Sequence, residues 1–226
     1  MRDLANKRRR FGYRRLFVLL RREGEPSGIY RLYSEEGLTV RKHKVRRKAL
    51  GTRDPILIEA RASSRWSLDF VQDQFACGRR FRVLNVVDDV TRECLAAILD
   101  ASISSRRVAR ELAALIERGG KDGMIVSDNG TELTSNSILK WCAETKIEWH
   151  YIAPGSPWEN GYCESFNARF RDEMLNGEVL YSLREAQILI ERWRHHYNTV
   201  MPHSALEYRP PAPETFGPTD QSPTMH

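Results

Sequence analysis

Three acids occupy settings that an ordinary surface acid does not need. Asp69 lies midway along "RWSLDFVQDQ", between Leu68 and Phe70. Asp128 closes the apolar run "MIVS" and opens the turn Asp128-Asn129-Gly130, and Glu164 sits in a helical pattern with 35 residues between it and Asp128. An ionised carboxylate among apolar neighbours is costly unless it is paired, hydrogen-bonded or bound to metal. Three such groups converging from separate elements would repel one another and favour a divalent cation. Mg2+ takes oxygen ligands and keeps several waters, so few carboxylates suffice. Two such ions roughly 4 Å apart activate a water or hydroxyl and stabilise the leaving oxygen of a phosphodiester.

Each acid also has a plain structural reading. Asp69 can point outward from a half-exposed strand, Asn129-Gly130 is the common turn dipeptide, and Glu164 can be a surface residue of its helix. Asp73, Asp88, Asp89 and Glu132 are further acids, and spacing alone does not choose among them. Gly130 lets the backbone turn sharply beside Asp128, and Asn129 is placed to orient a water or phosphate.

The elements that would carry these acids follow from periodicity. "RWSLDFVQDQ" reads as a strand, with Trp66, Leu68 and Phe70 on one face and Asp69 and Val71 on the other. "FRVLNVVDDV" and "ECLAAILDAS" read as two more strands, giving an antiparallel meander with a turn at Gly78. "SSRRVARELAALIERGG" and "NSILKWCAETK" read as helices, "MIVSD" and "IEWHYIA" as strands four and five. A helix runs from about Gly161, and another opens on a capping box from Ser182 to Glu185. The order β-β-β-α-β-α-β-α-α predicts an α/β fold with a mixed five-stranded sheet flanked by helices. Ahead of it, residues 9–50 read as short helices, one carrying Tyr13, Leu16, Phe17 and Leu20 and a second ending at Gly37, with a boundary near residues 50–62.

The charge is unevenly spread. Residues 1–53 hold 17 Lys/Arg against 5 Asp/Glu, whereas residues 54–226 hold 19 against 25. The positive charge peaks at Arg41, Lys42, Lys44, Arg46, Arg47 and Lys48, where a polyanion is the natural partner and a solvated tail the plain alternative. Hydrophobic residues make up 41% of the chain, enough for a core. No apolar run reaches membrane-spanning length and no secretory signal stands at the start, so a cytoplasmic protein is expected. The four cysteines form no C-x-x-C pair and read as reduced thiols.

"WSLDFV", "RRFRVLNVVDDVTREC", "IVSDNGTELTS", "WHYIAPGSPWENGYCESFNARFRDE" and "WRHHYNTVMPHSAL" together resemble the catalytic core of insertion-sequence transposases of the two-frame type, kin of retroviral integrases. The similarity spans about residues 62–212, leaving 213–226 as a flexible tail. It implies a ribonuclease-H-like fold, with Asp69, Asp128 and Glu164 as the catalytic and metal-holding triad at the family's 35-residue interval. It also implies Arg171 on a DNA phosphate and Asn160 at the DNA, shaping the loop before Glu164. The implied cofactor is Mg2+, with Mn2+ as substitute and two ions per site. "GYRRLFVLLRREG" and "IYRLYSEEGLTVR" are similar to the helix-turn-helix-like segment that precedes such cores, which makes residues 1–53 a basic DNA-binding segment.

The expected activity is cutting and joining of double-stranded DNA at element ends by metal-dependent phosphodiester hydrolysis and transesterification. The expected partners are element ends and target DNA, further copies of the chain, and a protein from the upstream frame. Two alternatives stay open: a catalytically silent DNA-binding remnant or regulator, and a plain ribonuclease-H-like nuclease.

Overall fold

The computed structural model describes residues 1–8, 11–24, 29–38, 61–119, 123–153 and 156–212. The basic run from Arg41 to Lys48, the boundary stretch 50–60 and the tail 213–226 lie outside the described residues.

Contacts divide the chain into two compact units, one comprising residues 1–57 with 202–209, the other 58–201 with 210–226. The first contains helices α1 (Arg2–Lys7), α2 (Tyr13–Arg22) and α3 (Ile29–Glu35). Phe11, Leu16 and Tyr33 are its buried centre, with Leu4, Tyr13, Leu19 and Leu38 packed around them. Gly37 takes φ +63°, the left-handed turn that stops α3 as the sequence predicts. The sequence reading missed α1.

The second unit is built on strands β1 (Arg65–Gln74), β2 (Arg80–Asp88) and β3 (Cys94–Asp100). There follow helix α4 (Ser105–Gly119), strand β4 (Met124–Ser127), helix α5 (Asn136–Thr145) and strand β5 (Trp149–Tyr151). A 3-10 turn (Pro157–Asn160) leads into α6 (Gly161–Glu173), and α7 (Leu183–Thr199) closes the unit. The sheet order is β3-β2-β1-β4-β5, antiparallel across β3-β2-β1 and parallel across β1-β4-β5. This is the predicted mixed sheet, with β5 shorter than the pattern suggests.

The alternation in β1 sorts the layers. Trp66 and Leu68 face one core with Leu84, Val86, Ile125 and residues of α4 and α5. Val71 faces the other, with Phe81, Val83 and the buried faces of α6 and α7. In α7, Ala186, Ile190, Trp193 and Tyr197 are buried at steps of three and four. Ser182 caps it by accepting from the Glu185 amide, but Glu185 reaches back to the amide of Tyr181 rather than to that of Ser182. The predicted capping box is therefore displaced by one residue at its return bond. Met201 is 1% exposed and belongs to the same core.

Candidate active site

The parallel register of β1 and β4 ends at the pair Leu68–Ser127. Asp69 is the next residue of β1, and Asp128 directly follows the last residue of β4. Neighbouring strands run about 4.8 Å apart, so the two carboxylates emerge side by side. Both are half-buried. Burial pushes the Asp69 carboxyl up from its ordinary range and the Asp128 charge adds to this, while hydrogen bonds from Asn167 and the Phe70 amide pull the other way.

Two buried asparagines fix Asp69. Asn167 of α6 donates from Nδ2 to Asp69 Oδ2 at 2.8 Å, and its Oδ1 accepts from Asn85 Nδ2 at 2.7 Å. Asn85 stands opposite Asp69 in the β1–β2 register. The other oxygen, Asp69 Oδ1, accepts from the Phe70 amide at 2.7 Å. Asn85 and Asn167 were missed in the sequence. Asn85 had a signal, an amide in the middle of the apolar strand "VLNVV".

Asp128 is held by its own turn. Its Oδ1 accepts from the Gly130 amide at 3.1 Å. A Cβ on residue 130 would stand 3.1 Å from that same oxygen, so the Asp128 carboxylate would have to shift slightly to admit one. Asn129 is committed to Ile152, donating to its carbonyl at 2.8 Å.

Glu164 is exposed on the first turn of α6, three residues before Asn167. Helix α6 packs on β1 and β2, and the buried Cys163 thiol is raised by desolvation first and then by Asp69, with Asp89 and Glu164 contributing. Cys163, next to Glu164, thus lies within electrostatic reach of Asp69. Among the described residues, no three acids, histidines or cysteines stand close enough together to hold a metal ion. Asp69 and Asp128 are brought together, and Glu164 does not join them in a three-acid group. The donor set nonetheless suits a hard cation: adjacent carboxylates, oxygen donors only, and a raised Asp69 that an added positive charge would relieve.

The competing acids are occupied elsewhere. Asp88 accepts from the amides of Ser63 and Val90 at 2.8 Å each. Asp89 is buried against Arg65. Glu132 pairs with Arg82, whose guanidinium also lies over the Phe70 ring. Asp73 accepts from the Gln74 amide at the surface.

Arg171 is exposed on α6 and donates to the Gln72 carbonyl at 3.2 Å. Asn160, expected at the DNA, is 2% exposed and donates to the Leu68 carbonyl at 3.0 Å. Its amide is committed to β1, which ties down the loop before Glu164. No helix among the described residues is long and apolar enough to cross a membrane.

Integrase core domain families match residues 59–157 and 145–211. A protein of insertion element IS407 of Burkholderia multivorans is 40% identical over 213 residues, covering 93% of this chain and 77% of that protein. The chain belongs to the insertion-element transposases with an integrase core. As a member of this family it is a polynucleotidyl transferase. A protein of insertion element IS476 of Xanthomonas euvesicatoria is 43% identical over 213 residues, and the chain spans 62% of it. The transposase InsD of element IS2 of Escherichia coli is 28% identical over 219 residues, with 72% of its length covered. Among solved structures, the simian T-cell lymphotropic virus intasome aligns with TM-score 0.58 at 16% identity, over 77% of this chain and 62% of that one. The HTLV-2 integrase catalytic core aligns with TM-score 0.50 at 17% identity, over 65% of this chain and 92% of that one. These neighbours share the ribonuclease-H-like fold.

Proposed function

We propose that this transposase cuts and joins DNA at mobile-element ends, with Asp69, Asp128 and Glu164 as its catalytic acids. The in-register end of β1 and β4, which sets Asp69 beside Asp128, carries the reading. The two aspartates, completed by Glu164, would hold Mg2+, or Mn2+ in its place, and two ions suit the chemistry. When bound, the cation polarises a phosphoryl oxygen and lowers the pKa of the attacking hydroxyl. One solved neighbour, the HTLV-2 integrase core, is in complex with magnesium.

The chain's own residues do the rest. Asn167 holds Asp69 in one orientation, so the carboxylate is set before DNA arrives. Water attacks phosphorus at the element end, and the bond to the leaving 3′ oxygen breaks to free a 3′ hydroxyl. That hydroxyl attacks a target phosphodiester in line, expelling the target's own 3′ oxygen. No covalent link to the protein is needed. Arg171, exposed and seven residues beyond Glu164 on α6, would take a DNA phosphate. The basic run Arg41, Lys42, Lys44, Arg46, Arg47 and Lys48 would supply further phosphate contacts. The domain reading that goes with this is a DNA-binding segment over 1–53, a catalytic core over 62–212 and a tail over 213–226. A structural neighbour belongs to an intasome, in line with action as a multimer, and an upstream-frame partner would assist at the ends. A cytoplasmic, nucleoid-associated location goes with this reading.

The test is strand cleavage and joining on plasmid DNA with Mg2+ or Mn2+, comparing the native chain with Glu164→Gln and Asp69→Asn. Nicked or joined product from the native chain alone supports the assignment. Equal product from a variant removes that acid from the site. Native protein that binds DNA but neither binds Mn2+ nor cleaves is a DNA-binding remnant, and cleavage that never yields joined strands identifies a plain nuclease.

A further inference from the structure

Arg65 and Asp89 form a buried ion pair outside the three acids. Their side chains are 7% and 0% exposed, and Arg65 Nε lies 2.7 Å from Asp89 Oδ2. No hydrogen bond of good geometry joins the two, so the contact is charge pairing. The backbone reinforces it, since the Asp89 amide donates to the Arg65 carbonyl at 2.9 Å. A buried pair of this kind is often no more stabilising than well-packed apolar residues, so its presence calls for another reason.

The other end of the guanidinium supplies one. Arg65 Nη2 donates to the carbonyl of Glu159, in the 3-10 turn from which α6 starts. The next residue, Asn160, donates to the Leu68 carbonyl at 3.0 Å. The Glu159 carboxylate accepts from the Ala153 amide at 3.1 Å, just past β5. Two anchors of this turn therefore lie on β1, the strand that carries Asp69. Glu164 follows four residues after Asn160, one helical turn along.

We propose that Arg65, held by Asp89, is a positioning residue for Glu164, fixing the start of α6 relative to Asp69. The proposal rests on Glu164 being a catalytic acid. The planar fork of arginine serves Asp89 and the Glu159 carbonyl from separate nitrogens, which a lysine ammonium on its flexible stem does not reproduce.

The test compares the full native chain with Arg65→Lys and Asp89→Asn. Hydrogen exchange is followed for residues 156–164 and, as a control, for 80–88, beside Mn2+ calorimetry and Mg2+-dependent DNA cleavage. Arg65→Lys retains the charge that Asp89 needs and is the variant that remains folded. Its expected result is faster exchange in 156–164 alone, weaker Mn2+ binding, and cleavage slower by roughly 10- to 100-fold, the scale of a misplaced catalytic group. Unchanged exchange in 156–164 overturns the proposal, as does selective exchange with native cleavage. Equal acceleration in both segments also overturns it, since that is a general packing role. Failure of the native chain itself to bind Mn2+ or cleave DNA would remove the catalytic reading, and the exchange comparison would still decide whether Arg65 holds the turn.

Discussion

Asn167 and Asp69 are joined by a 2.8 Å hydrogen bond that crosses from α6 to β1. Because Asn85 donates to the far side of the same amide at 2.7 Å, Asn167 presents its NH2 and not its oxygen to the carboxylate. The orientation of Asp69 is thus set from the neighbouring strand β2 through Asn167 of α6.

Replacing Asn85 by leucine removes that donor and leaves the Asn167 oxygen unsatisfied beneath the sheet. A cost of about 1–3 kcal/mol is expected, read from urea unfolding. Mn2+ affinity should fall as well, because Asn167 is then free to turn its oxygen toward Asp69. Native Mn2+ affinity in a destabilised Asn85→Leu protein would show that the relay serves stability alone.

The Glu132 carboxyl is held below its ordinary range, chiefly by its hydrogen bond from Arg82. A depressed folded pKa gives stability above the unfolded pKa that is lost as pH falls through the folded one. Glu132→Gln should therefore be less stable than native at neutral pH, by about 1 kcal/mol. The two proteins should converge in acid, below the lowered folded pKa, where both states are protonated. A difference that persists unchanged into acid would exclude this pair as its source.

Asp89 behaves in the opposite sense. Burial pushes its carboxyl up to about 6, against the pull of Ser67, Arg65 and Arg92 and with a small push from Asp88. Between its ordinary pKa of 3.8 and about 6 the folded state binds the extra proton. Stability from this group is then greatest in acid, declines as pH rises across that window and is level above it. The decline is on the order of 3 kcal/mol. Urea unfolding of native and Asp89→Asn proteins across the window should show it in the native chain alone, and parallel curves would rule it out.

The helix that carries Glu164 is seated by aromatic packing. Phe166 is 4% exposed, with ring centroids 5.6 Å from Trp193 and 4.9 Å from Tyr197 in edge-to-face contact. Phe166→Ala should cost about 3–5 kcal/mol in urea unfolding. A loss below about 1 kcal/mol would mean that α6 is held by its polar anchors instead.

Much of this was legible beforehand. The strand order, the two faces of β1 and the burial stripe of α7 follow from period-two and period-3.6 patterns, which depend on near neighbours in the chain. The pairing of Asp69 with Asp128 was legible through resemblance, because no local pattern says that β1 and β4 lie parallel with ends aligned. The anchors were not legible. Arg65 reads as a charged residue at a strand start, and its burial depends on Asp89 and Glu159, 24 and 94 residues away in sequence. The burial of Asn160 was not legible for the same reason, since its partner Leu68 is 92 residues back. α1 was missed because six residues give too few periods to count.

The hydrogen bond between Asp69 and Asn167 spans 98 residues of sequence. Contacts of such separation form late in folding, after the loop-closure entropy of the intervening chain has been overcome. During synthesis the chain emerges from its N-terminus at about 5–20 residues per second. The β1–β2 hairpin can therefore pair several seconds before α6 exists, and throughout that interval Asp69 lacks Asn167 and has no Glu164 nearby. On the proposed assignment, the three acids cannot share one site until α6 has left the ribosome.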